Sequence, residues 1–134
     1  MSADEAWPLA VAVVLWRGAQ TLLIRRAEGL PAAGYWTPIT GRPGPGEALE
    51  DAARREALEE VGLRVHVGAE IHRCQTVGAR FELVWFDAAL VEDSPLRLDP
   101  AEVAEARWCS VEEAARLTPM FEVTRAVYQG LCAR

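Results

Sequence analysis

Three glutamates at positions 56, 59 and 60 are the side chains in this 134-residue chain whose spacing most clearly suggests chemistry. The segment 47–61 contains no glycine or proline and is dominated by Ala, Leu, Glu and Arg, which predicts a helix. Because residues three and four apart are neighbours on a helix, Glu56, Glu59 and Glu60 share one side of it. Like charges this close repel one another, so we expect a cation there, and carboxylate oxygens suit Mg²⁺ or Mn²⁺.

A purely structural interpretation of these acids is an exposed helix face on which Arg54 and Arg55 pair with the glutamates. An exposed face would lie opposite the apolar residues of the helix. Leu49, Ala52 and Ala53 instead fall on the same side as the acids. The pattern therefore favours a metal site over a solvated face.

The segment around this helix, residues 41–63, reads GRPGPGEALEDAARREALEEVGL. It resembles the Nudix box, G-x5-E-x7-R-E-U-x-E-E-x-G-U, in which U is a bulky aliphatic residue. Ala57 departs from the pattern, since a larger aliphatic residue is usual there. The positions that match are Gly41, Glu47, Arg55, Glu56, Glu59, Glu60, Gly62 and Leu63.

The resemblance implies a hydrolase that cleaves nucleoside diphosphates linked to another moiety. By this resemblance, Glu56, Glu59 and Glu60 would be ligands of a divalent metal. One of them, or a carboxylate from another loop, would orient or deprotonate the attacking water. Arg55 would hold Glu47 and so fix the geometry of loop and helix. The chemistry calls for a metal because a pyrophosphate link carries several negative charges and attack by water adds more.

Two further candidates for the site lie outside the helix. The segment 102–108, EVAEARW, is similar to a stretch of some Nudix enzymes in which a Glu six residues before a Trp binds metal or acts as base. Glu102 has that position, although a solvated loop acid is an equally good interpretation. The residue before the first glycine of the box often binds metal through its carbonyl, and here it is Thr40.

Candidate substrate-binding residues are basic or aromatic. Arg25 and Arg26 end a predicted strand, where relatives of this kind often place a basic residue to meet phosphate; a solvated strand end is the alternative. Tyr35, Trp36 and Phe86 have rings that could stack on a base, but aromatic residues in strands more often belong to the core.

The apolar run 8–16 and the segments 21–26, 80–91 and 106–109 are predicted strands, with further strand material in 63–76. Gly62 should end the helix 47–61. A capping box at 110–113 predicts a helix to 116, and Thr118-Pro119 predicts the start of a last helix to about 132. This order of elements matches the Nudix fold, an α/β/α sandwich with a mixed β-sheet between helices.

Composition is typical of one soluble globular domain over residues 1–134. A net charge of −6 argues against a nucleic-acid polymer as partner. No apolar run is long enough for a membrane span or a secretory signal, so we expect a cytoplasmic protein with no membrane partner. Three cysteines without metal-ligand spacing are expected to be reduced thiols. The resemblance also allows a homodimer.

The sequence therefore predicts a Mg²⁺-dependent (or Mn²⁺-dependent) pyrophosphohydrolase acting on a nucleotide-like small molecule. Residues 36–41 and 102–108 are loosely similar to dihydroneopterin triphosphate pyrophosphatases, but the box does not select a substrate. An alternative is a Nudix-fold sensor that binds a nucleotide without turnover. Such sensors usually carry another domain and lose box acids, whereas every acid is present here. An isomerase of the same fold is a third alternative, for which no cysteine is obviously placed.

Overall fold

The computed structural model describes residues 7–76 and 80–134. Its helices are α1 (Leu49–Val61), α2 (Val111–Ala114) and α3 (Glu122–Cys132). Its strands are β1 (Leu9–Arg17), β2 (Gln20–Arg26), β3 (Trp36–Thr37), β4 (Ile39–Gly41), β5 (Val65–Gln75), β6 (Glu82–Leu90) and β7 (Val103–Cys109).

The central strand of the sheet is β1, whose continuous apolar sequence suits a strand that is covered on both faces. It pairs in parallel with β6 and antiparallel with β2 and β4. The sheet runs in the order β3-β2-β1-β6-β5, with β4 also paired to β1 and β7 paired to β2. The predicted mixed sheet is therefore confirmed.

Alternate residues of β1 build two separate cores, because successive side chains of a strand point to opposite faces. Val11 and Val13 pack in a cluster that includes the apolar residues of α1. Ala12 and Val14 pack in a second cluster with residues of α3, including the fully buried Tyr128. The helices thus cover both faces of the sheet, which confirms the predicted α/β/α sandwich.

The boundaries of α1 differ slightly from the prediction. The helix begins at Leu49 rather than at 47, because the backbone of Ala48 is extended, with ψ at 149°, and the Glu47 N–H donates back into the loop to the Gly44 carbonyl at 3.0 Å. Gly62 ends the helix as predicted. Its φ of 73° is left-handed, and its N–H donates to the Leu58 carbonyl at 3.1 Å.

The predicted start of the last helix at Thr118-Pro119 is wrong, since α3 begins at Glu122. The Pro119 carbonyl accepts a hydrogen bond from the Trp36 N–H at 2.9 Å, so this segment is bonded to β3 instead of winding into a helix. Met120 is buried beside it. The capping box at 110–113 is present, although α2 is shorter than predicted.

The longest of the described helices, α1, has 13 residues and carries charges along its length, and none of these helices is suited to crossing a bilayer. Cys74, Cys109 and Cys132 are free thiols, as predicted.

The hydroxyl of Tyr128 is buried and has no hydrogen-bond partner among the described residues. Burial of an unpaired hydroxyl costs about 1–3 kcal/mol. We therefore expect Tyr128→Phe to raise the free energy of unfolding, measured by urea denaturation. Thr21→Val is the matched control, because the equally buried Thr21 hydroxyl donates to the Leu15 carbonyl at 2.9 Å and its loss should destabilise. A Tyr128→Phe protein less stable than wild type would contradict the prediction.

Candidate active site

The last turn of α1 carries a carboxyl group into the protein interior. Glu60 is 4% exposed, whereas Glu59 beside it is exposed. The side chains of Ala53 and Ala57, which share the inner side of α1 with Glu60, are small and completely buried. The helix therefore lies close against the sheet with one acid on its inner face.

The pKa of Glu60 is raised from 4.5 to about 10, and burial is the largest cause. Hydrogen bonding with the Glu56 carboxyl and the negative charges of Glu56 and Glu102 contribute to this rise, while the Arg26 guanidinium opposes it. The Oε2 atom of Glu60 is buried without a partner among the described residues. The carboxyl groups of Glu56 and Glu102 and the guanidinium of Arg26 thus all influence the charge state of Glu60.

Arg55 fastens the loop before α1 to the helix. Its Nε and Nη2 donate to the two carboxylate oxygens of Glu47 at 3.0 and 2.9 Å, and Nη2 also donates to the Arg42 carbonyl. Its Nη1 donates to Glu56 and Glu59 at 3.0 and 3.2 Å. The guanidinium and the Gly44 N–H hold the pKa of Glu47 down to about 2. The structure thus contains the Arg55–Glu47 pair that the sequence predicts.

Gly41 lies directly against the Glu56 side chain. A Cβ added at Gly41 would overlap the carboxyl group of Glu56. Thr40 and Gly41 lie on β4, next to α1, and both line the cleft described below. The first glycine of the box therefore leaves room for an acid of the site.

Glu102 reaches the site from a turn just before β7. The backbone of this segment is fixed at both ends: the Asp99 N–H donates to the Glu60 carbonyl at 3.0 Å, and the Ala27 N–H donates to the Glu102 carbonyl at 3.1 Å. These bonds join the end of α1 to the end of β2. Glu102 is thereby brought close enough to Glu60 for its negative charge to raise the pKa of Glu60.

A cleft of about 720 Å³ is lined by three of these charged residues, Glu56, Glu102 and Arg26, all of which act on Glu60 and which we call its charged end. The Arg26 side chain is oriented by a hydrogen bond from Nε to the Pro31 carbonyl at 2.8 Å. The rest of the lining is mostly apolar or carries hydroxyl groups. It includes Ala10, Thr37, Cys74, Thr76, Phe81, Leu83, Phe121, Val123 and Thr124.

The other predicted substrate-binding residues lie elsewhere. Trp36 and Phe86 are almost completely buried in the two cores and are not among the residues that line the cleft. Arg25 pairs with Glu105 at 3.2 Å. Tyr35 packs against the ring of Phe121 at 4.6 Å between centroids and so supports a residue of the cleft wall.

Much of the cleft lining was not predicted from the sequence, including Arg42, Phe81 and Phe121. The Arg42 guanidinium lies over the Phe81 ring, 4.7 Å from its centroid, and both residues line the cleft. Phe121 enters the cleft just before the first turn of α3. Only the folded chain brings these residues together, so no local sequence pattern marks them.

The carboxyl groups fit a divalent cation. Glu60 has an unsatisfied buried oxygen beside Glu56 and Glu102, and carboxylate oxygens are suitable ligands for Mg²⁺ or Mn²⁺. Glu59 pairs with Arg55 instead, and in residues 7–76 and 80–134 no three acids, histidines or cysteines already converge as a ligand set. A bound cation would relieve the repulsion between the buried acids.

Comparison with known proteins assigns this chain to a family. The family model of the NUDIX domain matches residues 6–131. The CTP pyrophosphohydrolase of Escherichia coli strain K12 is 31% identical over 106 residues, which cover 78% of this chain and 76% of that protein. The chain therefore belongs to the NUDIX family, as the box predicts.

Two other similar proteins extend the comparison. The human NAD-capped RNA hydrolase NUDT12 is 32% identical over 107 residues, which cover 79% of this chain and 22% of that protein. A MutT protein from Methanosarcina mazei Go1 has the same fold, with a TM-score of 0.81 at 21% identity over 96% of this chain and 94% of that chain. The chain spans 22% to 48% of the length of several curated relatives that it matches.

The raised pKa of Glu60 predicts how stability depends on pH in the absence of metal. Below pH 4.5 the carboxyl is protonated in both the folded and the unfolded chain. Between pH 4.5 and about 10 the unfolded chain releases this proton while the folded chain retains it, so the contribution of Glu60 to stability falls as pH rises.

As pH rises from 4.5 to about 10, we expect the free energy of unfolding to fall less in Glu60→Gln than in wild type. Urea denaturation in the presence of chelator measures this fall. Glu59→Gln, which changes an exposed acid of the same helix, should follow the wild-type curve. Parallel curves for Glu60→Gln and wild type would contradict the assignment of a buried, protonated carboxyl.

Arg55→Lys tests the bonds that hold the loop to the helix. Lysine keeps the positive charge but lacks the planar donors that bind both oxygens of Glu47. We expect faster amide hydrogen exchange at Gly44, whose N–H is bonded to Glu47. Arg54→Lys is the control, since Arg54 is exposed and pairs with Asp51. Unchanged exchange at Gly44 in Arg55→Lys would show that Arg55 does not order this loop.

Proposed function

We propose that this protein is a divalent-metal-dependent pyrophosphohydrolase, which cleaves a phosphoanhydride bond of a nucleotide-like small molecule by attack of water on phosphorus. The observation that carries the proposal is the buried, unsatisfied carboxyl of Glu60 beside Glu56 and Glu102, two acids that line a cleft whose remaining lining is mostly apolar or carries hydroxyl groups. The charged end suits a pyrophosphate group with its cation, and the apolar lining suits the organic part of a substrate.

Glu56, Glu60 and Glu102 would hold the cation, together with Glu59 and the Thr40 carbonyl once the ligand set closes around it. Mg²⁺ or Mn²⁺ would supply neutralisation of phosphate charge and activation of water. Membership of the NUDIX family and the hydrolases among its relatives support this assignment.

The protein's own side chains orient the substrate and the water. Arg26 contributes a fixed positive charge at the charged end of the cleft, where its guanidinium can meet a phosphate oxygen. Glu102, on a segment separate from α1, is suited to orient the attacking water. Arg55 acts through Glu47 and Glu56, because its hydrogen bonds fix both the loop and the acid.

The wall of the cleft restricts what the organic part of the substrate can be. Phe81 and Phe121 offer ring faces, and Thr37 and Thr124 offer hydroxyl groups. Ring stacking tolerates different bases, since each has a flat face. The names of the relatives include both CTP and NAD-capped RNA as substrates. We favour a small nucleotide because this chain carries a net charge of −6, which repels a nucleic-acid polymer.

The proposal is tested by measuring phosphate or pyrophosphate release with Mg²⁺, with Mn²⁺ and with chelator. The substrate panel should contain nucleoside triphosphates, sugar nucleotides, dinucleoside polyphosphates, dihydroneopterin triphosphate, NAD-capped RNA and isopentenyl diphosphate. We expect metal-dependent cleavage of one nucleotide class. Nucleotide binding without cleavage would favour the sensor, and isomerisation of isopentenyl diphosphate would favour the isomerase.

Glu56→Gln should lower kcat by on the order of a hundredfold or more, because it removes charge from the reacting centre while core volume is kept. The melting temperature should remain close to wild type. Glu50→Gln, which changes an exposed acid in the first turn of α1, is the matched control and should retain full activity. A kcat for Glu56→Gln within about tenfold of wild type would show that Glu56 is not part of the machinery.

A further inference from the structure

The turn that carries Glu102 is built around one residue, Asp99. The side-chain Oδ1 of Asp99 accepts a hydrogen bond from the Ala101 N–H at 3.0 Å. The backbone carbonyl of Asp99 accepts hydrogen bonds from the N–H groups of Glu102 at 3.0 Å and Val103 at 2.8 Å. Asp followed by Pro is a favoured start for such a turn, since the aspartate side chain bonds the backbone two residues on and Pro100 has a restricted φ.

The same residue anchors the turn to α1. The Asp99 N–H donates to the carbonyl of Glu60, and the Arg97 N–H donates to the carbonyl of Val61 at 2.8 Å. Gly62 gives Arg97 the space to approach, because a Cβ there would lie 2.8 Å from the Cβ of Arg97. The turn is thus tied to the backbone of Glu60, the acid whose side chain faces Glu102.

We infer that Asp99 is a positioning residue for the reaction: its side chain fixes the turn 99–102 so that the Glu102 carboxylate stands beside Glu60. Asp99 itself does not touch the substrate in this assignment and is not among the residues that line the cleft. The inference rests on the proposed function, because it gives Asp99 its role through Glu102.

The Asp99 side chain matters because no described contact holds the Glu102 side chain directly. Residues 100–102 are exposed, and the described part of the chain gives the Glu102 side chain no hydrogen bond or ion pair. The position of its carboxylate therefore depends on the backbone of the turn. Without the bond from the Asp99 side chain, the Ala101 N–H loses its described acceptor, and only the backbone bonds of Asp99 and Glu102 hold the turn.

The test compares Asp99→Ala with Asp99→Asn. An asparagine oxygen can accept the same Ala101 N–H, so Asp99→Asn should behave like wild type, whereas Asp99→Ala removes the acceptor. We expect Asp99→Ala to lower kcat by about tenfold to a hundredfold, as loss of a group that orients a reacting residue commonly does. KM should change much less. Asp93→Ala, at an exposed acid of the same connection, is the matched control.

Two readouts do not depend on turnover. Amide exchange at Ala101 in the metal-free protein should accelerate in Asp99→Ala and stay slow in Asp99→Asn. The rise in melting temperature on adding Mg²⁺ or Mn²⁺ should shrink in Asp99→Ala to the value found for Glu102→Gln. In the double variant Asp99→Ala/Glu102→Gln, kcat should be no lower than in Glu102→Gln alone, since both changes disable the same carboxylate.

The inference is overturned if Asp99→Asn is as impaired as Asp99→Ala, because charge rather than the turn would then be responsible. Additive losses in the double variant would also overturn it, since Asp99 would then act independently of Glu102. If no substrate of the panel is cleaved, the proposed hydrolase activity fails, and the exchange and metal-response measurements still decide the inference. Wild-type behaviour of Glu102→Gln in turnover and metal response would overturn it as well.

Discussion

A single guanidinium connects the loop before α1 to the acids of that helix. Arg55 donates to Glu47, to the Arg42 carbonyl and to the acids at 56 and 59. A loop rich in glycine and proline would otherwise have little to hold it, because such residues contribute few side-chain contacts. The planar arrangement of donors in arginine lets one side chain satisfy carboxylates and a carbonyl together. The geometry of the charged end of the cleft therefore depends on this residue.

The site works against the stability of the fold around it. An acid that is almost completely buried beside two other acids is unfavourable for folding unless it is protonated or paired with a cation. The apolar clusters on both faces of the sheet provide the opposing stabilisation. Buried groups that are unfavourable for folding, as this acid is, are typical of functional sites.

The sequence predicted the features of the site that depend on local spacing. The three acids lie on one helix, Gly62 closes it and Arg55 meets Glu47, all within one stretch of chain. Trp36 and Phe86 illustrate what spacing does not decide, since an aromatic residue in a strand faces either the core or a cleft according to partners distant in sequence. The start of α3 was mispredicted because the Pro119 carbonyl bonds to Trp36, a contact that exists only in the folded chain. Asp99 had a recognisable Asp-Pro turn signal, but only the structure shows that the turn rests on α1.

The parallel pairing of β1 with β6 has a consequence for biosynthesis. Leu9 of β1 pairs with Glu82, and the ladder continues to Trp16 and Ala89, so the most apolar strand of the sheet acquires this neighbour only after the long intervening segment has been made. Pairings between distant segments are slow to form, because the intervening chain must first lose conformational freedom. Until β6 is made, β1 can pair with β2 and β4 but its other edge stays open, and an open apolar edge is exposed to aggregation. The strand at the centre of the finished sheet is thus one that a chaperone would protect during synthesis.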